Sequence, residues 1–248
     1  MRNEALVGYL LHQRPYQEKR ALYSLFSKEH GVIHGVGKKG APLFEPLQLF
    51  ATGKKELKTF SQINLAPLAY DISSEQPISY AQISGQQQYA ALYLNEILWK
   101  LLPIEDPMPV LWQYYQDSLL TLKQPLTPQQ LRLCLRQFEQ QLFKQLGFGV
   151  SLTHDSSLIN IAPDNAYRFL PDVGLVLVSQ IDNQLPEQLP AMVQTVFKGS
   201  ELIAMAELGI TEVTLSNWSR LYRLLMDHLL DYQPLQSRLL WQQQQRYQ

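Results

Sequence analysis

The stretch RPYQEKRALYSLFSKEHGVIHGVGKKGA, from Arg14 to Ala41, decides the fold of the first part of the chain. Apolar and polar residues alternate along it, and glycines and charged residues interrupt the alternation at short intervals, which is typical of a β-meander. The same pattern continues on both sides. Five segments are predicted to form strands: Ala5–Arg14, which ends before Pro15, then Ala21–Ser27, Gly31–Gly40, Leu47–Gly53 and Glu56–Ala66.

Five short strands within about 70 residues favour a small Greek-key barrel such as the OB-fold. A five-stranded SH3-like barrel fits the same periodicity, and both alternatives stay open on periodicity alone. After Asp71 the apolar spacing becomes helical, interrupted by a short region of small strands. Helices are predicted at Ser79–Pro103, Pro107–Lys123, Thr127–Gly149, Glu187–Gly199, Ser200–Leu208 and Ser216–Gln233, and small strands at Ser157–Asn160, Ala166–Leu170 and Val173–Ser179.

This order of elements predicts an α+β protein with four segments along the chain. Residues 1–78 would form the N-terminal barrel, and residues 79–150 the first part of a helical domain. Residues 151–185 would form a small β-rich insert without zinc-binding cysteines, and residues 186–248 the C-terminal part of the helical domain.

Motifs for enzymatic chemistry are missing from the sequence. It has no GxxxxGK[ST] phosphate loop, no GxGxxG and no GxSxG, and its single cysteine, Cys134, excludes an internal disulfide and a cysteine-rich zinc site. A hydrolase using His154 and Asp155 is an alternative, but no nucleophile accompanies them. We therefore expect no enzyme, no cofactor and no metal. No stretch approaches the roughly 18 apolar residues of a membrane span, and the single cysteine suits the cytoplasm.

Charge is distributed unevenly along a chain of net charge −1. Residues 1–60 carry ten Lys or Arg and five Asp or Glu, whereas residues 61–248 carry eleven and seventeen. Basic turns on an OB-fold favour contact with nucleic-acid phosphates, although lysines at turns also protect small sheets from aggregation. The candidate DNA-binding residues are Arg14, Tyr16, Lys19, Arg20, Lys38, Lys39, Lys54, Lys55 and Lys58, with Tyr16 as a base-stacking ring.

Four segments, in order, resemble the RecO family of bacterial recombination-repair proteins. The opening stretch is similar to the family's R-x-Y-x-E start and K-G-A turn. AALYLNEILWKLLPIEDPMPVLWQYYQDSLLTL resembles its Y-x-x-E-L helix followed by an acidic linker and a second helix. LRQFEQQLFKQLGFGVSLTH resembles its R-x-F-E helix, and PLQSRLLWQQ its terminal L-x-S-R motif.

This resemblance implies an OB-fold barrel on a helical body and a cytoplasmic, nucleoid-associated mediator. Such proteins bind single- and double-stranded DNA, anneal complementary strands, and help load RecA onto DNA coated by single-stranded DNA-binding protein (SSB). The implied partners are RecR, RecF and the acidic C-terminal tail of SSB. An alternative is a scaffold that bridges SSB and RecR with little DNA binding of its own.

Two departures from the family pattern stand out. Pro42 and Glu45 follow the K-G-A turn where many relatives carry further basic residues, which predicts a weaker DNA track. Asp155 stands where a zinc-binding cysteine often follows Thr-His, so we expect no zinc. On the third predicted helix, the residues expected to receive the SSB tail are Arg132, Leu133, Arg136 and Phe143, because an arginine fork suits carboxylates. Pairing of these arginines with Glu139 is the alternative.

Overall fold

The structure is a computed structural model that describes residues 1–66, 82–181 and 195–246. It divides into two compact units, one formed by residues 1–126 together with 235–248 and the other by residues 127–234. Each unit is described by itself below. The four-segment division predicted from the sequence remains a prediction.

The first unit begins with a closed five-stranded barrel. Its strands are β1 (Glu4–Gln17), β2 (Arg20–Ser27), β3 (Gly31–Lys38), β4 (Pro46–Thr52) and β5 (Lys58–Leu65). Their order around the barrel is β1-β2-β3-β5-β4, with β3 and β5 parallel and the other pairs antiparallel. This order is consistent with the OB-fold, which resolves the alternative left open by periodicity.

The barrel interior is filled by large side chains, one of which, the Phe60 ring, lies against a glycine. Leu6, Leu10, Leu25 and Ile33 are among the buried core residues. A Cβ atom at Gly35 would lie 2.5 Å from the Phe60 ring, so a larger residue there would displace the ring. The alternation seen in the sequence therefore corresponds to a filled interior and a separate outer face.

Strand β1 is longer than predicted because it continues through Pro15 to Gln17. The pairing of β1 with β2 shifts register between Leu10 and His12, and again between Pro15 and Gln17. Proline has no N–H to donate, and bulges are where sheets accommodate it. The strand thus carries Arg14 and Tyr16 outward to the β1–β2 turn.

Helices α1 (Gly85–Leu101) and α2 (Pro109–Leu122) belong to the same unit. Asn95 of α1 is 2% exposed, and its Nδ2 donates to the carbonyl of Leu10 at 3.0 Å. The Tyr115 hydroxyl of α2 donates to Asn95 Oδ1. A buried amide needs both of its ends bonded, and here one end reaches the β1 bulge and the other reaches α2.

Aromatic rings fill the space between α2 and the barrel. Tyr9 and Phe26 are paired across β1 and β2, and both pack against Trp112 and Tyr115 at ring-centroid distances of 5.1 to 6.0 Å. Tilted and edge-on ring contacts of this kind add about 0.5–1.5 kcal/mol each beyond the area they bury. This layer fixes α2 on the barrel.

Helix α7 (Gln236–Arg246) returns to the first unit and is held at its N-terminus by Glu96 of α1. The Glu96 carboxylate accepts from the backbone N–H groups of Gln236 and Ser237, both at 2.8 Å, and from the Ser237 hydroxyl at 2.7 Å. The guanidinium of Arg238 lies 5.6 Å from the Tyr93 ring centroid. The second and fourth segments that carry the family resemblance therefore meet in the structure.

The second unit contains α3 (Pro128–Gln145), β6 (Ala166–Leu170), β7 (Gly174–Leu177), α4 (Val178–Ile181), β8 (Val196–Lys198), α5 (Gly199–Leu208) and α6 (Leu215–Leu229). Thr127 and Gln130 form the capping box of α3, at the residue where the third predicted helix begins. The sheet has the order β7-β6-β8. The α+β class with a small sheet is confirmed.

Two local predictions in this unit are wrong. Val196–Lys198 is a strand rather than the end of a helix, because Phe197 is fully buried and pairs opposite Tyr167. The rest of that predicted helix, residues 187–194, lies outside the described residues. Ser157–Asn160 forms a turn instead of a strand, because Asp155 Oδ1 accepts from the N–H groups of Ser157 and Ile159.

Replacing Glu96 by Gln should lower the free energy of unfolding by about 1–3 kcal/mol, since charged acceptors make the stronger hydrogen bonds. Burial raises the pKa of Glu96, but the hydrogen bonds from Ser237 and Gln236 and the charge of Lys100 outweigh burial and leave the pKa below its ordinary value. The carboxylate therefore stabilises the fold above the unfolded-state value near 4.5 and loses that effect as pH falls through the folded value.

Urea denaturation across a pH series measures this effect. The difference in the free energy of unfolding between the natural protein and Glu96→Gln should become smaller as the pH is lowered. Glu212→Gln, at an exposed carboxylate, is the matched control and should change little. A gap that does not depend on pH would contradict the assigned role of Glu96.

Candidate nucleic-acid interface

Basic residues predicted to contact phosphates meet at one end of the barrel. Arg20 pairs opposite Lys38 in the β2–β3 register. The backbone N–H of Lys39 donates to the Lys19 carbonyl at 3.1 Å, and Lys39 Nζ donates to the Glu18 carbonyl at 2.9 Å. These contacts join the β1–β2 turn to the end of β3. We call Lys19, Arg20, Lys38 and Lys39, all exposed, the basic end.

A groove lies on the outer face of β1, β2 and β3. Two rows of paired residues form its floor, and Tyr16 follows Arg14 along β1. The rows are His12, Ser24 and His34, and then Arg14 and Leu22. Trp99 of α1 and residues Glu56 and Leu57 of the β4–β5 loop also line this strand-face groove, whose volume is about 580 Å³. In an OB-fold, this face and the neighbouring loops are where oligonucleotides bind.

The His12 and Trp99 rings are stacked in the groove, with centroids 3.8 Å apart and planes 6° from parallel. Burial lowers the pKa of His12, the Arg14 charge lowers it further, and Glu96 opposes this in part. His12 therefore favours the neutral form more than a solvated histidine does. Below it, Ser24 Oγ and His34 Nδ1 are hydrogen-bonded at 3.0 Å.

The two lysines of the β4–β5 loop differ in environment from Lys58, the first residue of β5. Lys54 and Lys55 are exposed on the loop that borders the strand-face groove. Lys58 is 5% exposed, donates through Nζ to the Lys55 carbonyl at 2.7 Å and is ion-paired with Glu105. The ammonium of Lys58 is thus engaged inside the unit, which argues against a phosphate contact.

Glu45 does not oppose the basic end in the way the sequence suggested. Both of its carboxylate oxygens lie 2.9 Å from Lys123 Nζ. The Lys123 side chain is 6% exposed, so the pair is largely shielded from water. The negative charge that was expected to weaken the DNA track is offset within the unit.

The four residues predicted to receive the SSB tail have different environments on α3. Arg132 is exposed and Leu133 is half-buried. Arg136 is ion-paired with the buried Glu139, which is the alternative pairing considered from the sequence. Phe143 is 1% exposed and packs against Tyr222 at 5.0 Å. Arg132 and Leu133 are therefore the accessible members of this set.

The His154–Asp155 cluster has structural partners. Thr153 Oγ1 and His154 Nδ1 lie 2.8 Å apart, and the Asp155 carboxylate stabilises its own turn. His154 and Asp155 border a cleft of about 290 Å³ in the second unit. Across the described ranges, no group of three or more His, Cys, Asp or Glu side chains is arranged to hold a metal ion.

No helix in the described part of the chain is long and apolar enough to cross a membrane.

Sequence reasoning named the basic residues and Tyr16 but missed the other rings that line the groove. His12 and Trp99 were not considered as binding residues, and Trp99 lies 87 positions after His12. The available signal was the spacing on α1, because Asn95 and Trp99 are four residues apart and share one helix face. Their contact with β1 depends on tertiary packing, which periodicity does not report.

Comparisons with known proteins show which family this chain resembles in sequence. The family model "Recombination protein O C terminal" matches residues 84–238. The DNA repair protein RecO of Pseudomonas paraeruginosa is 35% identical over 246 residues, covering 96% of this chain and 94% of that protein. The RecO of Pseudoalteromonas atlantica is 30% identical over 254 residues, covering 98% and 96%. The RecO of Coxiella burnetii is 29% identical over 245 residues, covering 94% and 95%.

Replacing Lys58 by Met keeps the apolar stem of the side chain but removes the ammonium. This change should lower the free energy of unfolding by about 1–3 kcal/mol, because Glu105 and the Lys55 carbonyl lose their donor. Lys54→Met, at an exposed position of the same loop, should stay within about 0.5 kcal/mol of the natural protein. Urea denaturation measures both. Equal stability of the two variants would show that Lys58 has no structural role.

Proposed function

The chain belongs to the RecO family of DNA repair proteins, and on that premise we propose that it is a recombination mediator. In this proposal it binds single- and double-stranded DNA and anneals complementary strands. With RecR, and with RecF as a further partner, it helps load RecA onto DNA coated by SSB. The observation that carries the proposal is the placement of the basic end beside the strand-face groove on one side of the barrel.

The proposed mechanism is electrostatic. Two strands that anneal bring two rows of phosphates together, and cations between them reduce the repulsion. Lys19, Arg20, Lys38 and Lys39 supply these cations from one end of the barrel, and Lys54 and Lys55 add to them from the β4–β5 loop. Base pairing supplies the sequence specificity, so the protein needs no base-specific contact for annealing.

A second part of the proposal concerns the SSB tail. Arg132 is exposed near the start of α3, where its guanidinium fork can bind a carboxylate through two parallel hydrogen bonds. Leu133, half-buried beside it, offers an apolar contact. Arg136 and Phe143 support the helix from inside, so we assign the proposed tail contact to Arg132 and Leu133.

Replacing both Lys38 and Lys39 by Ala should weaken binding of a labelled single strand and reduce the slope of log affinity against log salt by about 1.4, since each lost phosphate contact removes about 0.7. Annealing of complementary strands should slow in parallel. Fluorescence anisotropy across a salt series measures the affinity and the slope.

Lys28→Ala is the matched control, because Lys28 is exposed on the β2–β3 turn at the other end of the strands. It should leave the slope nearly unchanged. Absence of DNA binding by the natural protein at low salt would contradict the mediator proposal and favour a scaffold between SSB and RecR.

Replacing Arg132 by Glu should weaken binding of a labelled SSB tail peptide by about tenfold or more, because the charge-assisted hydrogen bonds are lost and repulsion replaces them. Arg223→Glu makes the same charge change at a side chain that is 69% exposed on α6 of the same unit, and should have a smaller effect. Equal effects of the two variants, measured by fluorescence anisotropy, would remove the assignment of the tail to Arg132.

A further inference from the structure

The cleft of the second unit takes no part in the proposed contacts with DNA or with the SSB tail. It is lined by residues 147–151 after α3, by the turn at residues 154–156, by the β6–β7 turn and by α6, and its volume is about 290 Å³. Most of its apolar lining comes from Phe148, Val150, Phe169, Val173, Leu175 and Leu225. An apolar recess of this size has room for one side chain or one ring.

Apolar side chains remain exposed around this cleft. Among the described residues of the second unit, seven large apolar side chains are exposed, and five of them belong to the cleft lining or to segments next to it. These five are Phe148, Leu158, Ile159, Val173 and Tyr232. The Tyr232 ring lies edge-on to the His228 ring, and His228 is hydrogen-bonded to Asp172 of the lining at 3.1 Å. Clustered exposed apolar side chains mark contact sites for other proteins.

The turn that presents Leu158 is firmly built. Besides the two bonds to its carboxylate, Asp155 donates its N–H to the Ile159 carbonyl at 2.8 Å, and the N–H of Ser156 donates to the Leu175 carbonyl of β7 at 2.7 Å. Leu158 is 84% exposed and has a φ of 62°, a backbone region that is unfavourable for leucine. A strained turn that keeps a leucine in water indicates a contact with another molecule.

The charge around the cleft is negative. Among the described residues that line it are Asp155 and Asp172 but no Lys or Arg. Residues 145–197 contain five Asp or Glu and a single Lys or Arg, Arg168. Arg168 precedes Phe169 on β6, so its side chain leaves the strand on the face opposite to Phe169, which lines the cleft. Phosphates and an acidic tail are therefore disfavoured here, and a cationic ligand is favoured.

We propose that this cleft is a docking site for a basic segment of a protein partner. One aromatic side chain of the segment enters the recess, and a neighbouring lysine or arginine pairs with Asp172. The Asp172 side chain is 76% exposed, so this pair selects the ligand more than it adds to affinity, and the apolar contacts provide most of the binding. The proposal goes beyond the proposed DNA binding and does not depend on it.

Three tripeptides with blocked ends test the site on the full chain: Lys-Phe-Lys, Lys-Ala-Lys and Glu-Phe-Glu. Lys-Phe-Lys should bind about fivefold or more tightly than either of the others. Lys-Ala-Lys lacks the ring that fills the recess, and Glu-Phe-Glu brings like charges to Asp172. Ligand-observed NMR titration measures the three affinities.

Two pairs of variants locate the binding. Asp172→Asn keeps an acceptor for His228 but removes the charge, and it should weaken Lys-Phe-Lys binding severalfold while leaving Glu-Phe-Glu no weaker. Asp164→Asn makes the same change at an exposed carboxylate of the same unit outside the lining and should have little effect. Val173→Arg should remove the preference for Lys-Phe-Lys over Glu-Phe-Glu, whereas Val213→Arg, at a side chain that is also exposed, should retain it.

The exposed positions of these four residues leave the fold largely unaffected by the changes, so the affinities can be compared directly. Equal affinities of the three peptides for the natural protein, or no binding of Lys-Phe-Lys, would overturn the proposal. Equal effects of Asp172→Asn and Asp164→Asn would also overturn it, because the basic peptide would then follow the overall charge of the unit and not this cleft.

Discussion

The hydrogen bond from Asn95 to the Leu10 carbonyl is the contact on which the candidate interface depends. It lies where β1 shifts its register against β2, and it fixes α1 on the barrel at that point. One helical turn later Trp99 stacks on His12, and the residue next to Asn95 holds the N-terminus of α7. A groove wall made by a helix and a floor made by strands can persist only while this docking holds.

Charge and shape are divided between different parts of the barrel. The basic end is built from turns, where lysine and arginine remain solvated and contribute little to stability. The strand-face groove is built from paired positions on three strands, where rings are held by their neighbours. Two acidic residues of this unit are engaged in ion pairs, Glu45 with Lys123 and Glu105 with Lys58, whereas Glu56 lines the groove. The outcome is a set of basic turns beside an aromatic groove on a chain of net charge −1.

What could be predicted from the sequence was local. The five strands, the start of the third helix at Thr127 and the basic turns each follow from residues near one another in the chain. Lys58, Phe143 and Trp99 were missed or misplaced because their surroundings come from distant residues: Glu105, Tyr222 and His12. Val196–Lys198 was predicted as the end of a helix but forms a strand, because pairing with β6 outweighs the intrinsic propensity of so short a segment.

Photo-crosslinking of a single strand that carries iodinated uracil bases, followed by mass spectrometry of the full chain, tests most directly whether DNA follows this face of the barrel. The account predicts crosslinks at aromatic side chains of the strand-face groove, above all Tyr16 and Trp99. Crosslinks confined to residues 127–234 would contradict it, because the DNA would then lie on the second unit rather than on the barrel.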